Sequence, residues 1–362
     1  MSNTGRCILW LATCVLLLSC SQNSRNDEVV TIPLGASVDK ENQQMDPAVL
    51  KVVDVTRIES AEGCYLSRTY FFDIDDESVG VYDGERIMRV GVGQGNILLN
   101  MSRVGRGPGE YLGVNDCRYD PDNKWYVVTS LLDGKAIWYD ENGRLVKEKT
   151  FGDQGAFCPM DGGRYAYVKP YNADEDFEIY DSEDNLIRRS VLGSKGVPTQ
   201  MFYLQSFHCF NGQSYFLPTF SDTLYHVTAE KDIPFLVFDK GNKKIPDEYY
   251  SNISSHDLSD YIDALSFYIC GDMLFAKFWY GKKMFLEIWN LTGGRLAFKS
   301  ELSSESDNYG FPVQVNGVTV YVWPNDVSGN ILYCALLPRE AVKLFPDRSE
   351  DANPVFLRIR VN

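Results

Sequence analysis

An all-β fold built from repeated four-stranded blades, a six-bladed β-propeller, is predicted on three observations. From Val49 to the C-terminus, short apolar runs alternate with turns rich in Asp, Asn and Gly, and no sustained helical periodicity interrupts them. A strand, turn and strand pattern recurs, its first three occurrences about 40–45 residues apart as in propeller repeats and the next delayed by an insertion. The stretch Val104-Gly105-Arg106-Gly107-Pro108-Gly109-Glu110-Tyr111 has a Gly-Pro-Gly core. There proline presets φ and the following glycine supplies the positive φ of a type II turn, as a blade-to-blade connector requires. Six blades fit the spacing best, and seven is the alternative.

Taken in order, residues 1–19 read as a lipoprotein signal peptide. Arg6 supplies a basic start, and Ile8 to Leu18 is an apolar stretch too short to span a bilayer. It ends in Leu17-Leu18-Ser19-Cys20, a small residue followed by the cysteine that becomes lipidated. Residues 20–28 form the lipidated Cys20 and a flexible polar tether. Residues 29–362 form the propeller domain. Val29 to Leu34 is strand-like, and pairing it into the last blade would close the ring and remove an open edge.

The first blade lies within Val52 to Val104. The clearest blade follows, with strands at Val114 to Tyr119, Trp125 to Thr129, Lys135 to Tyr139 and Leu145 to Phe151, separated by Asp120-Pro121-Asp122-Asn123, Asp133-Gly134 and Asp140-Glu141-Asn142-Gly143. Its second half repeats at Tyr180 to Leu192, at Thr223 to Phe238 and at Phe285 to Phe298. An insertion rich in Asp, Ser and Tyr spans Ile245 to Leu265, with a short helix expected at Ser259 to Ala264. The last blade lies within Phe311 to Asn362 and ends on the strand Val355 to Val361.

Composition narrows the partners. The chain of 362 residues carries a formal net charge of -15. That disfavours nucleic acid, which needs a basic footprint, and loose adhesion to anionic lipid. Of nine cysteines, Cys7 and Cys14 lie in the signal and Cys20 at its end. Cys64, Cys117, Cys158, Cys209, Cys270 and Cys334 are widely spread, with no CxxC or metal-ligand spacing, and read as buried small hydrophobes rather than bridges.

The lipoprotein signal, the Gly105-Arg106-Gly107-Pro108-Gly109-Glu110-Tyr111 turn and Ser221-Asp222-Thr223-Leu224-Tyr225 together resemble the six-bladed β-propeller lipoproteins of Bacteroides and related gut bacteria. The likeness covers nearly all of the mature chain. More distantly, the blade plan resembles NHL-like and TolB-like propellers. Gly91-Val92-Gly93-Gln94-Gly95 departs from the family's usual run into the turn. The resemblance implies an outer-membrane lipoprotein, on the periplasmic face or the cell surface, of unassigned activity. It implies no catalytic residues.

Candidate site residues are few. Arg106 and Glu110 stand four residues apart and are placed to pair across the turn, with Tyr111 packing beneath. They are the candidate ligand-binding residues, against the reading that they only brace the connector. His208, His226 and His256 have no HxxxH or HxH spacing and read as structural. The carboxylates Asp73, Asp75, Asp76 and Glu77, and Asp174, Glu175 and Asp176, offer oxygen ligands to Ca²⁺, but they lack the glycine and closing glutamate of an EF-hand loop. No metal site, cofactor or catalytic residue is therefore assigned. Among 22 Tyr, 20 Phe and 6 Trp, Tyr171, Tyr249, Tyr250, Tyr261 and Tyr280 are the candidates for exposed sugar-stacking rings. Asp222-Thr223-Leu224 fits a short O-glycosylation pattern, with core packing as the competing reading.

The function expected is a monomeric, lipid-anchored, non-catalytic module that binds a glycan or an envelope protein. The alternative is a carbohydrate-active lyase or hydrolase working through loop carboxylates and tyrosines. The fold itself does not choose between them.

Overall fold

The computed structural model describes residues 29–60, 64–66, 69–151, 155–169, 174–193, 206–210, 212–303, 306, 309–348 and 352–362. Cys20 and Tyr171 lie outside the described residues.

The chain begins with β1 (Val30–Ile32), a one-turn helix α1 (Leu34–Ser37) and β2 (Leu50–Arg57). Blade one is β3 (Tyr70–Asp75), β4 (Ser78–Tyr82), β5 (Arg86–Gly91) and β6 (Ile97–Ser102). Blade two is β7 (Asp116–Asp120), β8 (Trp125–Ser130), β9 (Lys135–Tyr139) and β10 (Leu145–Thr150), within two residues of the predicted strands. Blade three is β11 (Ala156–Pro159), β12 (Tyr165–Val168), β13 (Phe177–Tyr180) and β14 (Leu186–Ser190). Blade four is β15 (Ser206–Phe210), β16 (Gln213–Leu217), β17 (Thr223–Val227) and β18 (Asp232–Phe238). Blade five is β19 (Asp263–Cys270), β20 (Met273–Tyr280), β21 (Lys283–Asn290) and β22 (Arg295–Ser303). A separate hairpin, β23 (Phe311–Val315) and β24 (Val318–Val322), follows. Blade six is β25 (Asp326–Ser328), β26 (Ile331–Ala335) and β27 (Val355–Val361), with helix α2 (Pro338–Leu344) between the last two.

The inner strands β3, β7, β11, β15, β19 and β25 each touch the next, and β19 meets β25 and β25 meets β3, so six blades close one ring. Closure is by an N-terminal strand, but a different one from that expected. β2 supplies the outermost strand of blade six, antiparallel to β27 from Leu50 opposite Val361 to Arg57 opposite Val355. The expected closing run instead gives β1, which adds parallel to β18 on the outside of blade four. The reason is reach: α1 and residues 38–49 carry the chain past blade five before β2 meets the C-terminal strand. On the way Gln43 bridges to Lys299 of blade five.

Middle strands such as β4, β8, β9 and β12 are buried on both faces, so they read as continuous apolar runs rather than alternations. In blade two, Tyr126, Val128, Ile137 and Tyr139 pack against blade one, while Val127, Ala136 and Trp138 pack on Phe157 and Tyr165 of blade three. Gly80 has a packing reason of its own. A Cβ there would stand 2.0 Å from the Phe72 ring, which lies across the blade-one sheet. The outer strands β10 and β14 are largely open to solvent, with Leu145, Val146, Glu148 and Thr150 exposed on β10.

The insertion is found between β18 and β19, but Ser259 to Ala264 is not helical. Its helical turns are 3-10, at Gly241–Lys243 and Asp247–Ser255. Asp257 accepts the Ser259 amide (2.9 Å), Tyr261 closes a tight turn on Leu258, and the Ile262 amide donates to Lys243, which draws the chain back before a helix can extend. All six of the remaining cysteines are free thiols, buried except for the half-buried Cys209.

Candidate functional site: an axial funnel

The inner strands run in one sense around the axis, and at their C-terminal ends they enclose a funnel of about 420 Å³. Phe72 and Ile74 come from β3, Arg118 from β7, Cys158 and Pro159 from β11, Phe207 and Cys209 from β15, and Asp326 to Ser328 from β25. Alternation along β7 is what aims the charge. Asp116, Arg118 and Asp120 share one face of the strand, and Cys117 and Tyr119 take the other.

Arg118 is the only cation lining this funnel among the described residues. Its Nε stands 3.3 Å from Asp116 Oδ2 and its Nη1 3.8 Å from Asp326 Oδ1, across the axis on blade six. Those carboxylates hold its pKa well above even the ordinary arginine value. Asp116 is itself oriented by the Tyr82 hydroxyl, which donates to Oδ1 (3.2 Å), and by the Cys117 amide (2.9 Å). Burial and the adjacent carboxylate keep that phenol protonated.

The mouth is acidic. Asp120 Oδ1 accepts the amides of Asp122 (3.0 Å) and Asn123 (3.2 Å), and Asp122 Oδ2 accepts the amide of Gly162 (3.0 Å) in the corresponding turn of blade three. The Asp161 carboxyl is raised above its usual range by burial and by Asp122. The funnel thus offers carboxylate acceptors and one braced guanidinium over a wall of Phe72, Ile74, Phe207 and Val327. Such a lining suits a compact ligand with hydrogen-bond donors and an apolar face.

The connector residues are at the other end of the inner strands. The type II turn forms as expected: the Glu110 amide donates to Gly107 O (3.1 Å) and Gly109 has φ +67°. Arg106 is exposed, and the pairing expected with Glu110 is not formed. The Glu110 carboxylate instead accepts the Gly107 amide at 2.7 Å. A Cβ on Gly105 would lie 2.1 Å from that carboxylate, so the loop closes only around glycine. Tyr111 is fully buried; its hydroxyl donates to Glu85 O (3.0 Å) and accepts the Arg103 amide (3.1 Å). None of the three lines the funnel.

The other candidates disperse. His208 sits against Phe210 and Phe267 (centroids 5.3 and 4.8 Å), its pKa lowered to about 4 by burial and by Arg118. His226 packs on Tyr215, and His256 stacks on Tyr249 at 3.8 Å. Tyr250, expected to be exposed, is 4% exposed and stacked on Phe220, because the insertion folds its own small core. Tyr249, Tyr261 and Tyr280 are half-buried. Asp75 accepts the Glu77 amide (3.0 Å) and Ser78 hydroxyl (2.8 Å) and pairs with Arg89 (2.6 Å), while Asp176 accepts the Gly193 amide (2.6 Å). Among the described residues no group of three or more His, Cys, Asp and Glu is placed to hold a metal. Thr223 opens β17 half-buried, and Asp222 beside it pairs with Lys240 (2.9 Å).

Sequence reading missed Arg118, Asp116 and Asp326. The signal was there in part: Asp116, Arg118 and Asp120 put three charges at period two on an inner strand. Asp326, distant in sequence, gave none.

No helix among the described residues is long and apolar enough to cross a membrane. No curated protein matches the chain. The fold is similar to that of a Bacteroides fragilis protein named for its inferred export, at 12% identity and TM-score 0.69, covering 92% of this chain and 100% of that one. It is also similar to a DUF4221 family member from Bacteroides vulgatus, at 10% identity and TM-score 0.57, covering 88% of this chain and 99% of the other. A family model described as a domain of unknown function, DUF4934, matches residues 29–359, and the chain belongs to that family.

Proposed function

We propose that the chain is an exported, lipid-anchored propeller that binds a small hydroxyl-rich ligand, such as a glycan end, in the axial funnel without transforming it. The observation that carries the reading is convergence: five of the six inner strands place side chains around one cavity, with Arg118 braced between Asp116 and Asp326. Braced carboxylates accept sugar hydroxyls, and the apolar wall takes the C–H face of a ring. Binding is favoured over turnover because Asp116, Asp120 and Asp122 are already committed to backbone amides and Tyr82. That arrangement fixes a binding surface better than it feeds a proton relay. Export and anchoring rest on the signal pattern ending at Cys20 and on the likeness to the inferred exported protein of Bacteroides fragilis.

A glycan-array screen of the chain from Ser21, with product analysis of every hit, tests the reading. Saturable binding with no product supports it. Turnover of a hit replaces it with the enzyme reading, and silence across the array moves the ligand to another class. For the anchor, metabolic labelling with a fatty acid is expected to mark the wild type and not Cys20→Ser; equal labelling of both contradicts lipidation at Cys20.

A further inference from the structure

A second cavity, of about 570 Å³, lies at the opposite end of the ring between blades five and six. Additions to the repeat help to build it. Tyr321 and Trp323 come from β24 and the chain leaving it, Leu336, Leu337 and Pro338 lead into α2, and Lys277 rises from the middle of β20. A bare four-stranded repeat has neither the hairpin nor the helix, so these walls belong to what this chain adds to its fold.

Among the described residues, two cations line this cavity without an acid. The Lys277 ammonium stands 4.3 Å from the centre of the Trp323 ring, and among the described residues no carboxylate pairs with it. Burial pushes its pKa down, with no opposing charge to restore it. Arg348 donates through Nη2 to the carbonyls of Ala352 (2.5 Å) and Asn353 (3.1 Å), while its buried Nε has no partner. Glu340, on the adjoining helix, is spent on Lys343 (2.8 Å) and on the Tyr321 amide (2.9 Å). In a chain with a formal net charge of -15, Lys277 is sheltered without a carboxylate partner among the described residues, and a bound anion offsets the cost of that burial.

The remaining wall describes the rest of the ligand. Trp323 is held rigid by stacking on Phe311 (5.6 Å) and by the edge of Tyr268 (6.0 Å). Leu66, Leu336 and Pro354 add apolar surface, and Tyr321 and Asn325 add hydrogen-bonding groups. A lone inorganic anion would leave this surface wet. We infer that the cavity binds a small carboxylate-bearing ring compound, its carboxylate between Lys277 and Arg348 and its ring against the apolar wall of Leu66, Leu336 and Pro354.

Titration calorimetry on the whole chain tests this, with glucuronate and benzoate as probes for the two sources of a ring carboxylate, and with glucose, benzyl alcohol and inorganic phosphate as counterparts. Saturable binding of either carboxylate is expected, weakened at least about tenfold in Lys277→Met and in Arg348→Met. Preference between the two probes assigns the source. Equal binding of the neutral counterparts or of phosphate, unaltered affinity in Lys277→Met, or no saturable binding of either carboxylate overturns the inference. A second readout guards against a folding artefact. Ligand-free Lys277→Met should melt higher than wild type by roughly 1 to 3 °C, because it removes an unpaired sheltered charge. A lower melting temperature contradicts that account. Because the axial funnel lies at the other end of the ring, a variant that plugs the funnel leaves this binding intact, and the two sites fail separately.

Discussion

Arg118 and Asp116 lie two residues apart on one face of β7, and the guanidinium Nε stands 3.3 Å from the carboxylate. The same guanidinium reaches Asp326 on blade six at 3.8 Å. One side chain therefore joins two blades across the axis. Arg118→Met removes the cation that Asp116 and Asp326 share and is expected to cost about 2 kcal/mol in urea unfolding. Adding Asp326→Asn should recover part of that loss, since the two residues share one interaction. Strictly additive losses would contradict the pairing.

His208 sets an acid limit. Its folded pKa, about 4, lies below its ordinary value of 6.5. Between those values the unfolded chain binds a proton that the folded chain refuses, so stability is complete above the ordinary value and falls as pH drops through the folded one. Relative to His208→Phe, the wild type should lose about 2 to 3 kcal/mol between neutral pH and about pH 4. Parallel stability curves for the two proteins would show that the ring does not titrate as described.

The connector separates cleanly into braced and free residues. Tyr111→Phe removes hydrogen bonds at both Glu85 and Arg103 and should cost about 1 to 2 kcal/mol. Gly109→Ala places a side chain at φ +67° and should cost about 1 kcal/mol or more. Exposed Arg106→Ala should stay within about 0.5 kcal/mol. Denaturant midpoints of the three variants give the ranking directly, and a large effect at Arg106 would refute it.

Lys299 fastens the N-terminal segment to blade five. Its ammonium donates to the carbonyls of Ser37 (2.8 Å), Val38 (3.0 Å) and Lys40. Lys299→Met is expected to speed proteolysis between residues 38 and 48 several-fold while the blades stay intact. Unchanged cleavage would mean that β1 and β2 hold the segment without it.

The blades were legible because their chemistry is local. Asp120-Pro121-Asp122-Asn123 and Asp140-Glu141-Asn142-Gly143 announce turns from within a few residues, and blade two follows the predicted strands closely. Closure was legible only in principle. That the N-terminus completes the last blade follows from the need to cover an edge. The choice of Leu50–Arg57 over Val30–Ile32 depends on pairing across some 300 residues, with Leu50 opposite Val361. The funnel was legible in part for the same reason. Arg118 shows as a charge on an inner strand, but its partner Asp326 comes from blade six, some 200 residues on. The Gly-Pro-Gly stretch, the loudest motif in the chain, encodes a backbone geometry, and its Glu110 is spent closing the turn.

The most direct test of the central claim is calorimetric titration of a glycan hit into wild type and into Ser328→Trp, which fills the funnel from β25. Ser328 is half-buried at the funnel wall, so the larger ring blocks the cavity while the blades retain their cores. Saturable binding to the wild type and its loss in Ser328→Trp, with the melting transition preserved, is the predicted result. Undiminished binding to a folded Ser328→Trp would place the ligand elsewhere and contradict the account.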